Sequence, residues 1–166
     1  MNPYWGPWIV ASINDWIKNN SYLAGIPLYF ESDEHKSPEN YAKLHGYWGE
    51  VRIDGPVWNQ HAKLWNGRFE INILFSVVKN QTTNIYLPRI LAGKAEAAYA
   101  RSIPIYKYGP ADDPENDGSL FDCISQTPFR GTDNAIVTGF FGQVEPFVPM
   151  DQISIESHYI FEREAD

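Results

Sequence analysis

The sequence predicts an α+β fold: a mainly antiparallel sheet covered on one face by two helices, with an extended Gly/Pro-rich arm and a long C-terminal strand. Three observations predict it. Two segments carry apolar residues at helical spacing. Strand-like segments follow one another through short links, which implies antiparallel pairing. The last segment alternates apolar and polar residues along its whole length. With 166 residues the chain has room for one good core and little for a second. One domain is therefore expected over 1–166, with 110–149 as a loop or arm insertion.

The first element is a helix. Trp5, Trp8, Ile9, Ile13, Trp16 and Ile17 recur at three- and four-residue steps and share a face, while Ser12, Asp15, Lys18 and Asn19 fall elsewhere. Pro7 lies near its start, where a missing N–H costs little. Asn19-Asn20, then Gly25 and Pro27, end it. A stripe with three tryptophans at this spacing is read as core rather than as a sugar or lipid site. IPLYFE (26–31) reads as a short strand and SDEHKSPEN (32–40) as a polar loop. In YWGEVRID (47–54), Trp48, Glu50, Arg52 and Asp54 share one side, and Tyr47, Gly49, Val51 and Ile53 the other. Gly55-Pro56 then predicts a bend or an edge position.

Asn66-Gly67 signals a hairpin turn, and 67–80 is the strongest strand, with Phe69, Ile71, Ile73, Phe75 and Val77 facing inward. A second helix is predicted over 84–101, capped by Asn84, with Pro88 in its first turn. Its apolar side is Leu87, Ile90, Leu91, Ala95 and Ala98. The small residues of AGKAEAAYA let it approach a sheet or another chain closely. Pro104 stops it, and 103–109 reads as a strand. LFDCISQ (120–126) is a further strand, in which Cys123 is expected to be a small buried residue. Residues 127–149, with scattered glycines, prolines and aromatics, read as an arm or long loop. In the last strand, Ile153, Ile155, Ser157, Tyr159 and Phe161 alternate with Ser154, Glu156, His158, Ile160 and Glu162.

Charge is unevenly spread. The net charge is −8, yet residues 110–166 alone hold 2 Lys+Arg and 12 Asp+Glu, a net of −10. A surface of that kind repels nucleic acid, and the basic residues of the remainder form no visible cluster. A solubility role is the commonest reason for such a block.

Sites of known chemistry are missing from the sequence. There is no GxSxG, P-loop, GxGxxG or HExxH motif. His35, His45, His61 and His158 lack metal-helix spacing. Carboxylates are abundant, but nothing marks two of them as an acid–base pair. The single cysteine excludes an intrachain disulfide and a multi-cysteine zinc site. DPENDG (113–118) begins like a calcium loop, with Asp113, Glu115, Asp117 and Gly118 at the first, third, fifth and sixth places. The twelfth place, which needs a bidentate Glu, is Ile124, so a turn is expected instead. No cofactor, no metal and no catalytic residue are predicted. No stretch is long and apolar enough to span a membrane, no secretion signal is evident, and the triplets beginning at Asn19 and Asn80 are read as chance.

A sheet with edges, a small-residue helix and an aromatic arm are materials of assembly. The order of elements resembles the tail terminator (tail completion) proteins of long-tailed bacteriophages: an amphipathic helix, the short strand IPLYFE, the pair GEVRID and RFEINILFSVV, the helix IYLPRILAGKAEAAYAR, and a final strand ending HYIFERE. The resemblance covers about 5–109 and the last strand; 110–149 departs from it. It implies a structural, non-enzymatic virion subunit, assembled in the host cytoplasm. In that family a hexameric ring caps the tail tube at the head–tail junction, joining tail tube protein to head–tail connector protein. Genomic DNA passes its lumen without specific binding. On that reading, some of Asp112, Asp113, Glu115, Asp117, Glu156, Glu162 and Glu164 face the lumen or a basic partner ring, and the arm and small-residue helix make the subunit contacts. Other head–tail parts (stopper, adaptor, minor tail protein) fit the same pattern. A carbohydrate-binding module stacking sugars on Trp48 and Trp58, or a carboxylate-dependent hydrolase, are the readings of a different class.

Overall fold

The structure, a computed structural model, describes residues 1–31, 38–79, 84–145 and 148–164. It is an α+β fold with three helices, α1 (Trp5–Lys18), α2 (Pro38–His45) and α3 (Leu87–Ala98). The strands are β1 (Leu28–Phe30), β2 (Tyr47–His61), β3 (Leu64–Val78), β4 (Ser102–Tyr106), β5 (Leu120–Thr127), β6 (Ile136–Val144) and β7 (Met150–Glu164). They form one sheet in the order β1-β2-β3-β7-β5-β4, with β6 also on β7. All neighbours are antiparallel except β1 and β2, which α2 connects as a crossover.

The centre is the β3–β7 pair, in register along all 15 residues of each strand, from Leu64↔Glu164 to Val78↔Met150. The other edge of β7 is divided. Its first half pairs with β6, and Ser125 to Thr127 of β5 pair with Ile160 to His158 beyond it.

Alternation sets the layers. Phe69, Ile71, Ile73, Phe75 and Val77 of β3, and Ile153, Ile155, Tyr159 and Phe161 of β7, all point to one face and are buried there. Trp8, Ile9, Ile13 and Ile17 of α1 and Leu91, Ala92, Ala95 and Ala98 of α3 close that face. The alanines bring α3 close to the sheet, which lets Tyr99, at its end, place its hydroxyl 2.9 Å from the Ile71 carbonyl and 2.8 Å from that of Ile155. Burial pushes this phenol's pKa well up, so it stays a donor. The small-residue face is thus used inside the fold, and Ile90, expected on it, is exposed.

Several boundaries differ from the sequence reading. Residues 38–40, the end of the expected loop, begin α2, whose Tyr41 and Ala42 cover Trp48, Val78 and Met150 on the opposite face of the sheet. Residues 32–37, with His35, and the Asn80 triplet lie outside the described residues. The hairpin turns at Ala62-Lys63, since His61 pairs with Leu64, and Asn66-Gly67 is within β3. Gly67 is a glycine because the Trp58 ring lies over it: a Cβ there would come within 2.8 Å of that ring. Cys123 is exposed, since Ile124 takes the inward position of β5. The arm is more ordered than expected. Its residues 136–144 are β6, and Phe129 folds back to stack on His158 at 3.7 Å between ring centroids.

Gly55-Pro56, a cis peptide, marks a bulge: between Asp54↔Glu70 and Val57↔Arg68, β2 carries one residue more than β3. The extra residue reverses which face later side chains take. Trp58, expected beside Trp48 on the exposed side, instead turns inward against Trp5, Trp65 and Phe161. Neither tryptophan is free to stack on a sugar. Replacing Gly67 with Ala should therefore displace Trp58 and lower stability by about 1–3 kcal/mol, read from urea denaturation. A neutral result would show that the ring moves aside freely.

Candidate functional site

The seven acidic residues expected to face a lumen or partner fall into two places. The first is one end of the molecule, where the N-terminus of α1, the β2–β3 hairpin and the end of β7 meet. Trp5 contacts Trp58, Phe121 and Phe161 there. The DPENDG turn joins this end through Asp113, which is buried. Trp8 Nε1–H donates to Asp113 Oδ2 at 2.7 Å, and the Glu115 backbone N–H donates to Oδ1 at 2.9 Å. Gly109 lies against the same carboxylate, leaving no space for a Cβ. Asp113 is thus a structural clasp between α1 and the turn, and it does not belong with surface residues that face a lumen or partner.

The remaining turn residues stay outside. Asp112 and Asp117 are exposed, and Glu115 pairs with Lys107 at 3.1 Å. The Ser119 hydroxyl and N–H both donate to Asp117 and hold its pKa below the usual carboxylate value. Glu162 and Glu164 are exposed at the end of β7, near Arg163, which pairs with Asp122 at 3.0 Å. Ile124, the place of the missing calcium ligand, is in the core. The turn is tied by its own hydrogen bonds and by Trp8.

Glu156 is elsewhere, on the outer face of the sheet. The β3–β7 register sets His158 directly across from Glu70, and alternation puts Glu156 two residues away on the same side. His158 Nε2 lies 3.6 Å from an oxygen of Glu70 and 3.6 Å from one of Glu156. Among the described residues this is the one group of three converging His, Cys or carboxylate side chains. Desolvation first, then the nearby Glu70 charge, raises the Glu156 pKa, while His158 opposes the rise. The Phe129 ring lies against the imidazole, tilted by 33°.

A cleft of about 570 Å³ opens beside these residues. The β2 bulge at Asp54 and Gly55 forms one wall, and Thr127 and Arg130 form the other. Arg68, Glu70 and His158 line it too. Sequence reasoning found Glu156 and His158 on one outward face but had no means to add Glu70, which needs the pairing register, or Phe129, which needs the fold-back.

Along the free edge of the sheet lies a third feature. β6 contains no charged residue and no proline, and Val137, Phe140 and Phe141 are exposed. The Arg89 guanidinium covers Phe140 at 3.9 Å from its centroid, and Ile85, Tyr86 and Ile90 around the start of α3 are exposed as well.

No family model matches the chain, and no curated protein matches it. A solved structure that is similar shares 12% identity over 93% of this chain and 94% of its own, with a TM-score of 0.46. No described helix is long and apolar enough to cross a membrane.

Two outcomes follow from this geometry. Asp113→Ala leaves the buried Trp8 N–H without its acceptor and should cost about 1–3 kcal/mol in denaturant unfolding, with Asp113→Asn costing less. For Glu156, a folded-state pKa above the unfolded one means that its ionisation opposes folding. Relative to Glu156→Gln, the wild type is equal in stability below the unfolded carboxylate pKa and falls behind as pH rises through the folded pKa. Melting curves from acid to neutral pH in metal-free buffer should show the variant gaining an advantage toward neutral pH. A constant difference would remove the raised pKa from the account.

Proposed function

We propose that the protein is a structural subunit that assembles with copies of itself into a ring at the head–tail junction of a long-tailed bacteriophage. There it caps the tail tube, meets the connector and lets DNA pass. The observation that carries this reading is the uncharged, exposed edge strand β6. Monomeric proteins protect such edges with lysine, proline, bulges or a covering loop; β6 has neither lysine nor proline along nine residues, and its one irregularity lies between Phe140 and Gly142. The order of helices and strands supports the terminator reading within that class. So does the gathering of Asp112, Asp117, Glu162 and Glu164 at one end, since a wall that passes DNA without holding it is better acidic than basic. Another head–tail part, such as a stopper or adaptor, would use the same edge. The carbohydrate-module alternative is weakened, because Trp48 is buried and Trp58 packs against the core.

The test is mass in solution, by light scattering on a sizing column, alone and with purified tail tubes. A closed oligomer of the 19.0 kDa chain, or a monomer that assembles on tubes, is expected. Val137→Lys should abolish that assembly while changing monomer stability by less than about 0.5 kcal/mol. A wild-type chain that stays monomeric and ignores tail tubes would sink the reading.

A further inference from the structure

We infer that Glu70, Glu156 and His158 form a binding site for a divalent transition-metal ion of the zinc class, on the outer face of the sheet with its open position toward the cleft. The inference does not depend on the ring assembly.

Distances carry the argument. His158 Nε2 is 3.6 Å from each carboxylate, too far for a hydrogen bond. Zinc holds nitrogen and oxygen ligands at about 2.0–2.2 Å, so two ligands on a tetrahedral ion stand about 3.4 Å apart. The two His–Glu separations are close to that value, and all three ligand atoms lie within 4.8 Å of one another. Bringing the carboxylates together onto an ion takes side-chain rotation alone, because the strands that carry them are locked in register.

Ligand type selects the ion. Two carboxylates and one imidazole suit zinc or its neighbours, whereas magnesium and calcium prefer oxygen alone. Three protein ligands leave a position for water or for a ligand in the cleft. Phe129 lies against the imidazole, 3.7 Å between ring centroids. Two glutamates converge here on a partly buried face where the only nearby compensation from within the group is a histidine. A dication placed between the carboxylates answers that charge.

The experiment is calorimetric titration of the full chain with Zn²⁺, and separately with Mg²⁺. Saturable binding of one zinc per chain is expected, with Mg²⁺ much weaker. Glu156→Gln and His158→Gln should each weaken zinc binding by at least about tenfold, and His61→Gln, at the distant hairpin, should not. Glu156→Gln keeps the test sound, since it is expected to be at least as stable as the wild type, which circular dichroism melting verifies. Absence of saturable zinc binding would overturn the proposal, and so would unchanged affinity in both site variants.

Discussion

Everything in this molecule is hung on the pairing of β3 with β7. The two strands run side by side along their full length and put nine large or β-branched inward residues on one face, which α1 and α3 then cover. The same register carries the opposite face, where it places Glu70 across from His158. A slip of one residue would exchange core and surface together. Two devices hold it in place: the interlocked inner face, and the Tyr99 hydroxyl set between carbonyls of the two strands. No single contact elsewhere has consequences as wide.

Both special regions border a departure from regular pairing. The bulge at Gly55-Pro56 turns Trp58 inward and shapes a wall of the cleft beside the Glu70–Glu156–His158 group. The division of β7's second edge between β6 and β5 leaves β6 as a free edge. The regular β3–β7 pairing sets Glu70 across from His158, and the irregularities shape what surrounds that group.

The fold class was legible because its signals are local and periodic. The inner faces of β3 and β7 and the stripe of α1 were read residue by residue, and all proved to be core apart from the more exposed Trp16. What failed depended on partners distant in sequence. The turn was assigned to Asn66-Gly67, whose glycine answers instead to the Trp58 ring. Trp58 was placed outward because a simple alternation cannot count a bulged residue. The loop expected over 32–40 hides the start of α2, because the helix is polar and its apolar contact is only Tyr41 and Ala42. Asp113 gave no sign of burial, since an acidic turn looks the same whether or not a tryptophan N–H awaits it. Of the Glu70–Glu156–His158 group, only the two residues on β7 were visible as neighbours.

The order of strands in the chain has a consequence for how the molecule comes to be folded. β3 finds its long partner only in the last strand of the fold, with Leu64 waiting for Glu164 and Val78 for Met150. Loop closure over such separations is slow. Until β7 arrives, the phenylalanine and isoleucine face of β3 has only the β2 hairpin and the helices to shelter it. The chain is therefore most at risk of misassociation after β3 is made and before β7 is, when the face is complete but its central partner is not.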